Sequence, residues 1–279
     1  SFNSNHYFYV AYSYEKSKNP LVINNKIVRY REDPATKKPI FDKILIDHIE
    51  GYINHNVGSL HFGPDDKLYV TTGERYLPEY AQDMTKLNGK ILRVNRDGSV
   101  PSDNPFPESL IYTLGHRNVQ GLAWQPNTNN LFNVEHGPSL TQGCCMDEIN
   151  FIQPGKNYGW PLIRGKQQAA NMETPRYISG DDTTWAPAQA IFLTEGPWKG
   201  SMLFTGLFDQ ALHRAIFDSN DPTKVVKVET YMKEELGRLR AIAKGPDGRI
   251  YLGTSNGDGR GIAKSPKDDR IFILNIQPK

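Results

Sequence analysis

Three sequence runs between residues 115 and 161 carry residue types that suit chemistry better than packing. They read GHRNVQGLAWQP (115–126), NVEHGPSLTQG (133–143) and MDEINFIQPGKNYGWP (146–161). Arg117 and Asn118 can hold an anion through charge and hydrogen bonds. The Gly137-Pro138 dipeptide on its own is more often an ordinary turn. The spacing predicts a rigid scaffold whose loops hold a polar, anionic ligand and a cation.

Two further groups of candidate residues lie outside these runs. His55 stands in NHNVG, just ahead of a predicted strand, and a neutral imidazole can take a proton near neutral pH. An isolated histidine is more often a solvated or core-packed residue. Arg238 and Arg240 are two residues apart, so on a strand they point to the same side. Two alternatives remain open for these residues: their guanidinium groups converge on one pocket, or both arginines are solvated.

Composition bounds the class of protein. The chain has 279 residues, 38% of them hydrophobic and 11% aromatic, which is enough for a sizeable core. Because 33 basic residues balance 31 acidic ones without a basic stripe, nucleic acid is not an expected partner. No apolar run approaches the ~20 residues of a membrane span. The opening SFNSNHYFYVAYSYEK predicts a polar stub followed by a strand; a mature or truncated chain would look the same.

The two cysteines, Cys144 and Cys145, are adjacent. Neighbouring Cα atoms are about 3.8 Å apart, which is closer than ordinary disulfides prefer. Three alternatives remain open: two thiols in a loop, a vicinal disulfide that stiffens this loop, or an intermolecular or metal-binding role.

Short β-rich runs separated by turns predict an all-β fold. The predicted strands are KLYVTTG (67–73), KILRVN (90–95), RIYLGTS (249–255) and RIFILN (270–275). A weak repeat places strand–turn–strand units around Pro64, Pro126 and Pro246, with a related hairpin at 202–218. Such a repeat is typical of a β-propeller of four-stranded antiparallel blades. About four and a half blades are recognisable within a single predicted domain, residues 1–279.

The ordered motifs resemble one known family. They are INHNVGSLHFGPDDKLYVTTGE, LNGKILRVNRDGSVPSDNPF, YTLGHRNVQGLAWQP, EHGP, DEINFI, GKNYGWP and ELGRLRAIAKGPDGRIYLGTS. Together they resemble the soluble glucose/sorbosone and aldose sugar dehydrogenases that use pyrroloquinoline quinone (PQQ). The resemblance implies a six-bladed propeller, with roughly a blade and a half missing before Ser1. The missing part would include a glutamine of the cofactor site. The alternative is a smaller or open ring.

The resemblance also implies roles for individual residues. His55 matches the general base, and Arg117 stabilises charge on the quinone. The residues expected to contact PQQ are Arg117, Asn118, Arg238 and Arg240. The residues expected to hold Ca²⁺ are Gly137 and Pro138 at the cofactor, and Glu148 and Tyr158 at a second, structural site. Asp147 would be a surface acid unless it joins that site.

The sequence also departs from the family pattern. Many members have a lysine that contacts PQQ where this chain has Phe208 or Asp209. The loop SLTQGCCM replaces a shorter one, Asn54 stands where a member has an acid, and Glu74 stands where some relatives have Asp. These departures keep a second hypothesis open, in which the protein is a non-enzymatic extracellular binding propeller.

The leading hypothesis is an enzyme that oxidises an aldose at its anomeric hydroxyl to the lactone, with PQQ and Ca²⁺ as cofactors. A third alternative is a calcium-dependent lactonase-type hydrolase. The expected partners are a sugar and an external electron acceptor, and the expected location is extracytoplasmic (periplasmic or secreted), by resemblance. The motifs do not specify the sugar, which would be read by loops such as 76–83 and 166–185.

Overall fold

The computed structural model describes residues 2–139, 143–261 and 267–277. These residues form an all-β chain of five antiparallel sheets, three of which have four strands. The helical elements described are a single α-helical turn, Phe2–Asn5, and a 3-10 turn, Pro78–Ala81. The predictions of an all-β class and of four-stranded antiparallel sheets are therefore confirmed. The number of blades stays a prediction.

The chain divides into two compact units, and the first contains residues up to Asn118 together with Pro154–Pro161. Its sheet orders are β1-β2-β3 and β4-β5-β6-β7. The strands are β1 (Tyr7–Lys18), β2 (Leu21–Glu32), β3 (Pro39–Glu50), β4 (Val57–Phe62), β5 (Leu68–Thr72), β6 (Lys90–Val94) and β7 (Ile111–Leu114).

The core of this first unit follows from strand alternation. Leu68 and Val70 on β5 share one face with Leu92 and Val94 on the neighbouring β6, because residues two apart on a strand point the same way. Ile27 of β2 belongs to the same buried cluster. The packing fixes β5, and therefore the residues that directly follow it.

The second unit contains Val119–Gln153 and the chain from Leu162 onward. Its sheet orders are β11-β10-β9-β8, β12-β13-β14-β15 and β16-β17-β18. The strands are β8 (Val119–Trp124), β9 (Leu131–Glu135), β10 (Glu148–Ile152), β11 (Tyr177–Ile178), β12 (Pro187–Phe192), β13 (Met202–Gly206), β14 (Leu212–Phe217), β15 (Val225–Tyr231), β16 (Leu239–Lys244), β17 (Ile250–Thr254) and β18 (Ile271–Leu274).

The predicted local elements agree with these bounds. All four predicted strands are present, as β5, β6, β17 and β18. The turns at Pro64, Pro126 and Pro246 each connect a hairpin, and the expected hairpin at 202–218 is β13–β14. The polar excursion at 165–185 is mostly loop, but it contributes the short strand β11 to the sheet of β10. Whether the chain is a single domain stays a prediction.

Candidate active site

His55 and Glu74 form a buried hydrogen-bonded pair in the first unit. His55 Nδ1 lies 2.6 Å from Glu74 Oε1, and the two side chains are only 8% and 0% exposed. Because an ionised carboxylate can only accept, Nδ1 carries the proton that it donates. In this tautomer the lone pair is on Nε2, which can take a proton from a substrate hydroxyl. The pair has the arrangement of a general base with an orienting acid.

The backbone around this pair is closely docked. A Cβ atom on Gly73 would lie 2.6 Å from the His55 carbonyl, so only glycine allows this approach of the two segments. The amide of Arg75 donates to the carbonyl of His55 at 3.2 Å, and the amide of Gly73 donates to the carbonyl of Asn56 at 2.8 Å. His55 itself has a positive φ of 53°, a conformation that non-glycine residues rarely adopt. The end of β5 therefore fixes the histidine backbone.

A buried lysine secures the loop that follows Glu74. Lys90 Nζ donates to the carbonyls of Tyr80, Ala81 and Asn88 at 2.7, 3.1 and 2.8 Å. Burial lowers the pKa of Lys90 to about 7, against an opposing effect of the Asp83 charge. The 3-10 turn at Pro78–Ala81 is thus tied to β6 from inside the unit.

Arg117 and Asn118 are also buried in the first unit, at 2% and 4% exposure. The Arg117 guanidinium lies 5.5 Å from the centre of the Trp160 ring, a cation–π contact. The carbonyl of Arg117 accepts the amide of Glu74 at 2.9 Å. The backbone of Arg117 therefore contacts the backbone of the acid that binds His55. The catalytic and cofactor-binding roles of Arg117 and Asn118 stay predictions.

Asp147 is buried in the second unit, which excludes the alternative that it is a surface acid. Its Oδ1 accepts the amide of Gly137 at 2.8 Å. Its Oδ2 accepts the Thr184 hydroxyl and the amides of Trp185 and Ala186 at 2.7, 2.6 and 2.8 Å. A carboxylate can be buried when several N–H and O–H donors satisfy it, and here these donors fix the Gly137-Pro138 turn.

Glu148 lies opposite Glu135 in the β9–β10 pairing. Its oxygens accept the Asn150 amide at 3.1 Å and the Gly165 amide at 3.2 Å. Part of Glu148 is accessible to solvent, but it is densely surrounded by protein. This burial and the Glu135 carboxylate raise the pKa of Glu148 to about 8. The site therefore favours an added positive charge, supplied by a proton or a cation.

Arg238 and Arg240 converge on one carboxylate. Their Nη2 atoms lie 3.2 and 3.0 Å from Oδ2 of Asp258, and Ser255 Oγ donates to the same atom at 3.0 Å. Burial alone would raise the pKa of Asp258. The Arg260 amide, Arg240, Ser255 and Arg238 instead hold it well below its usual range. The expected convergence of the two guanidiniums is present, and their role toward a cofactor stays a prediction.

Phe208 and Asp209 stand where many family members have a lysine. Asp209 Oδ2 lies 2.8 Å from Nε2 of the fully buried His213, and the ring of Phe208 is 66% exposed. Asp209 is therefore engaged inside the second unit.

The structure joins Cys144 to Cys145 in a vicinal disulfide, which selects one of the three alternatives from the sequence. The disulfide lies beside the Gly137 turn. A Cβ atom on Gly137 would overlap the carbonyl oxygens of Cys145 and Met146, so this residue must be glycine. The backbones of Cys145 and Met146 are thus packed against the backbone of the Gly137 turn.

The second unit offers ligands of the kind that calcium and PQQ, the two groups implied by the resemblance, would need. Within the three described segments, no group of three or more His, Cys, Asp or Glu side chains is arranged to hold a metal. Calcium, however, accepts carbonyl oxygens. The Oδ1 atoms of Asn133 and Asn150 are buried beside Glu148 and accept no hydrogen bond from the described residues. Likewise, the Arg238–Arg240 pair already binds a carboxylate, the group that PQQ would present.

Comparison with known proteins gives the family. The family described as glucose / sorbosone dehydrogenase matches residues 1–264. The chain belongs to the glucose/sorbosone dehydrogenase family. It is 37% identical over 258 residues to quinoprotein glucose dehydrogenase B of Acinetobacter calcoaceticus, covering 80% of this chain and 52% of that protein. It is 32% identical over 232 residues to aldose sugar dehydrogenase YliI of Escherichia coli, covering 77% and 61%.

Among solved structures, a PQQ-bound aldose sugar dehydrogenase from Streptomyces coelicolor is similar, with 34% identity and a TM-score of 0.84. The match covers 98% of this chain and 76% of that one. This glucose/sorbosone dehydrogenase family member thus spans just over half the length of the curated relatives it matches. None of the described helices is long and apolar enough to cross a membrane.

Sequence reasoning missed three features of this family member. It noted Glu74 only as a departure, it did not find Asp258 between the two arginines, and it left a surface position open for Asp147. The strand–turn–strand unit around Pro64 was the signal for Glu74. Its hairpin pairs Val57 with Thr72, so His55 and Glu74, each two residues outside its strand, come opposite each other.

Proposed function

We propose that the chain carries the sugar-oxidising site of an aldose dehydrogenase that depends on PQQ and Ca²⁺. The hydrogen-bonded pair of His55 and Glu74 is the observation that carries this proposal. His55 Nε2 takes the proton of the anomeric hydroxyl while hydride leaves the same carbon, and the product is the lactone. Glu74 holds the imidazole in the reactive tautomer and stabilises the imidazolium that forms. Family membership and the PQQ-bound neighbour support the same reaction.

The remaining candidate residues bind rather than react. Arg117 and Asn118 would contact the cofactor, and Arg238 and Arg240 would bind its carboxylates. When bound, PQQ would accept the hydride, and Ca²⁺ would act as a Lewis acid that polarises the quinone carbonyl of PQQ. Electrons would then leave to an external acceptor.

Two cation sites are part of the proposal. The backbone carbonyls of Gly137 and Pro138 would hold the cofactor calcium, and Glu148 would hold a second calcium. An extracytoplasmic location is part of the proposal, because the Cys144–Cys145 disulfide suits an oxidising compartment. A six-bladed propeller would provide the scaffold.

The proposal is tested by titrating the calcium-loaded protein with PQQ and then adding a panel of aldoses. Cofactor absorbance reports binding and reduction. We expect sugar-dependent reduction that is lost in His55→Ala and kept in His48→Ala, whose imidazole is exposed on the surface. Binding of PQQ without reduction by any aldose would contradict the reaction, and failure to bind PQQ would favour a binding protein.

A further inference from the structure

Tyr76 is an unexpected residue for its position. Its backbone has a positive φ of 63°, where a bulky side chain is disfavoured and glycine is the usual solution. Tyr76 is 40% exposed, so it is not a core residue either. Neither local conformation nor burial explains why a tyrosine stands here.

The ring of Tyr76 is stacked on the imidazole of His55. The two ring centres are 4.3 Å apart, and their planes differ by only 17°. The ring of Tyr76 also contacts the ring of Tyr52 edge-to-face, with ring centres 6.0 Å apart and an angle of 77° between the planes. The stack helps to explain why the His55 side chain is only 8% exposed, although it lies beside a surface loop.

We propose that Tyr76 is a positioning residue for His55. The inference rests on the proposed function, in which His55 is the base. The hydrogen bond to Glu74 fixes Nδ1 but still allows the imidazole to swing about that contact. A parallel ring at 4.3 Å blocks this swing and fixes the direction of Nε2. The electron-rich face of the tyrosine also favours the imidazolium that forms when His55 takes a proton.

The loop is built to hold this ring in place. The amide of Leu77 donates to the carbonyl of Glu74 at 2.9 Å, which closes a tight turn around Tyr76. Arg75, which also has a positive φ, pairs with Glu50. The backbone strain of two consecutive residues is therefore retained at the point where the ring meets the base, as expected for a functional constraint.

The test compares Tyr76→Phe, which keeps the ring, with Tyr76→Gly, which removes it and suits the positive φ. Glu108→Gly is the matched control, because Glu108 is exposed in the same unit and has a φ of 58°. The first readout is the NMR signal of the carbon-bound His55 ring protons in the protein without cofactor. Stacking shifts them upfield, and we expect this shift to be lost in Tyr76→Gly only.

The second readout is the rate of sugar oxidation. We expect kcat to fall about 10- to 100-fold in Tyr76→Gly, because a misplaced base reacts slowly, while Tyr76→Phe and Glu108→Gly stay near wild type. His55 ring protons that do not move in Tyr76→Gly, or a kcat that does not change, would overturn the inference. Wild-type protein that oxidises no sugar would instead refute the proposed function, while the NMR result would still decide whether the stack exists.

Discussion

His55 Nδ1 and Glu74 Oε1 lie 2.6 Å apart because the register of one hairpin places the two residues opposite each other. β4 and β5 pair Val57 with Thr72, and the chain continues outward to His55 on one side and to Glu74 on the other. Gly73 lets the two backbones touch at this point. A base and its orienting acid are therefore produced by strand pairing rather than by a flexible loop.

Glu74→Gln tests the acid of this pair. Glutamine keeps the shape but lacks the charge that stabilises an imidazolium, so we expect kcat to fall by roughly 100-fold or more while the fold is kept. Glu79→Gln is the control, since Glu79 is exposed on the same loop. Steady-state kinetics and thermal unfolding measure the two effects. Equal kcat values for Glu74→Gln and wild type would show that Glu74 does not assist the base.

Lys90→Met tests how the buried lysine makes the stability of the protein depend on pH. The folded pKa of about 7 lies below the ordinary value of 10.5, so between these values the unfolded chain binds more protons. Stability therefore rises with pH in this window, by at most about 1.4 kcal/mol per pH unit. We expect this rise in wild type and in the exposed control Lys38→Met, but not in Lys90→Met. Urea unfolding from pH 7 to 10 measures it, and parallel curves for wild type and Lys90→Met would contradict the account.

The raised pKa of Glu148 should make the stability of the calcium-free protein fall as pH rises, which is the opposite of the effect expected for Lys90. The folded pKa of Glu148, about 8, lies above the ordinary 4.5, so its contribution to stability is full below about pH 4.5 and is lost as pH rises through 8. A cation that replaces the proton should bind more tightly across the same window. We expect Ca²⁺ affinity, measured by calorimetry, to increase from pH 5 to 8.

Glu148→Gln is the matching variant, because it removes the charge that both a proton and a cation would neutralise. It should abolish the pH dependence of Ca²⁺ binding, whereas Glu235→Gln, at an exposed position, should not. Calcium binding that is independent of pH in wild type would place the cation elsewhere.

Asp147→Asn tests the buried carboxylate that accepts the Gly137 amide and three further hydrogen bonds. Oδ2 accepts three donors and Oδ1 a fourth, and an amide NH₂ cannot accept any of them. We expect a loss of about 2–3 kcal/mol in the free energy of unfolding, measured by chemical denaturation. Asp182→Asn, at an exposed position, should change it little. A stability equal to wild type would mean that the four hydrogen bonds are not formed in solution.

The sequence predicted those parts of the fold that depend on local pattern. Alternating β-rich runs and Gly-Pro-Asp turns gave the strands β5, β6, β17 and β18 and the hairpins that they form, because strand pairing across a short turn is a local property. Arg238 and Arg240 were expected to point the same way because residues two apart on a strand lie on the same side, and both reach Asp258.

Features that depend on distant segments were not accessible in this way. Asp147 looks like a surface acid in sequence, since its donors Thr184, Trp185 and Ala186 lie almost forty residues further on. Tyr76 looks like an ordinary loop residue until its ring is placed over His55. In both cases the partner is fixed by loop conformation, which has no periodic signature.

The central claim is that His55 takes a proton from the sugar hydroxyl as hydride leaves the same carbon. Its most direct test is the single-turnover rate of cofactor reduction by an aldose carrying deuterium at the anomeric carbon, in wild type and in His55→Ala. We expect a slower rate with deuterium in wild type, and a fall of about 10²- to 10⁴-fold in His55→Ala at unchanged cofactor binding. A rate that is unaffected by the loss of His55 would contradict it.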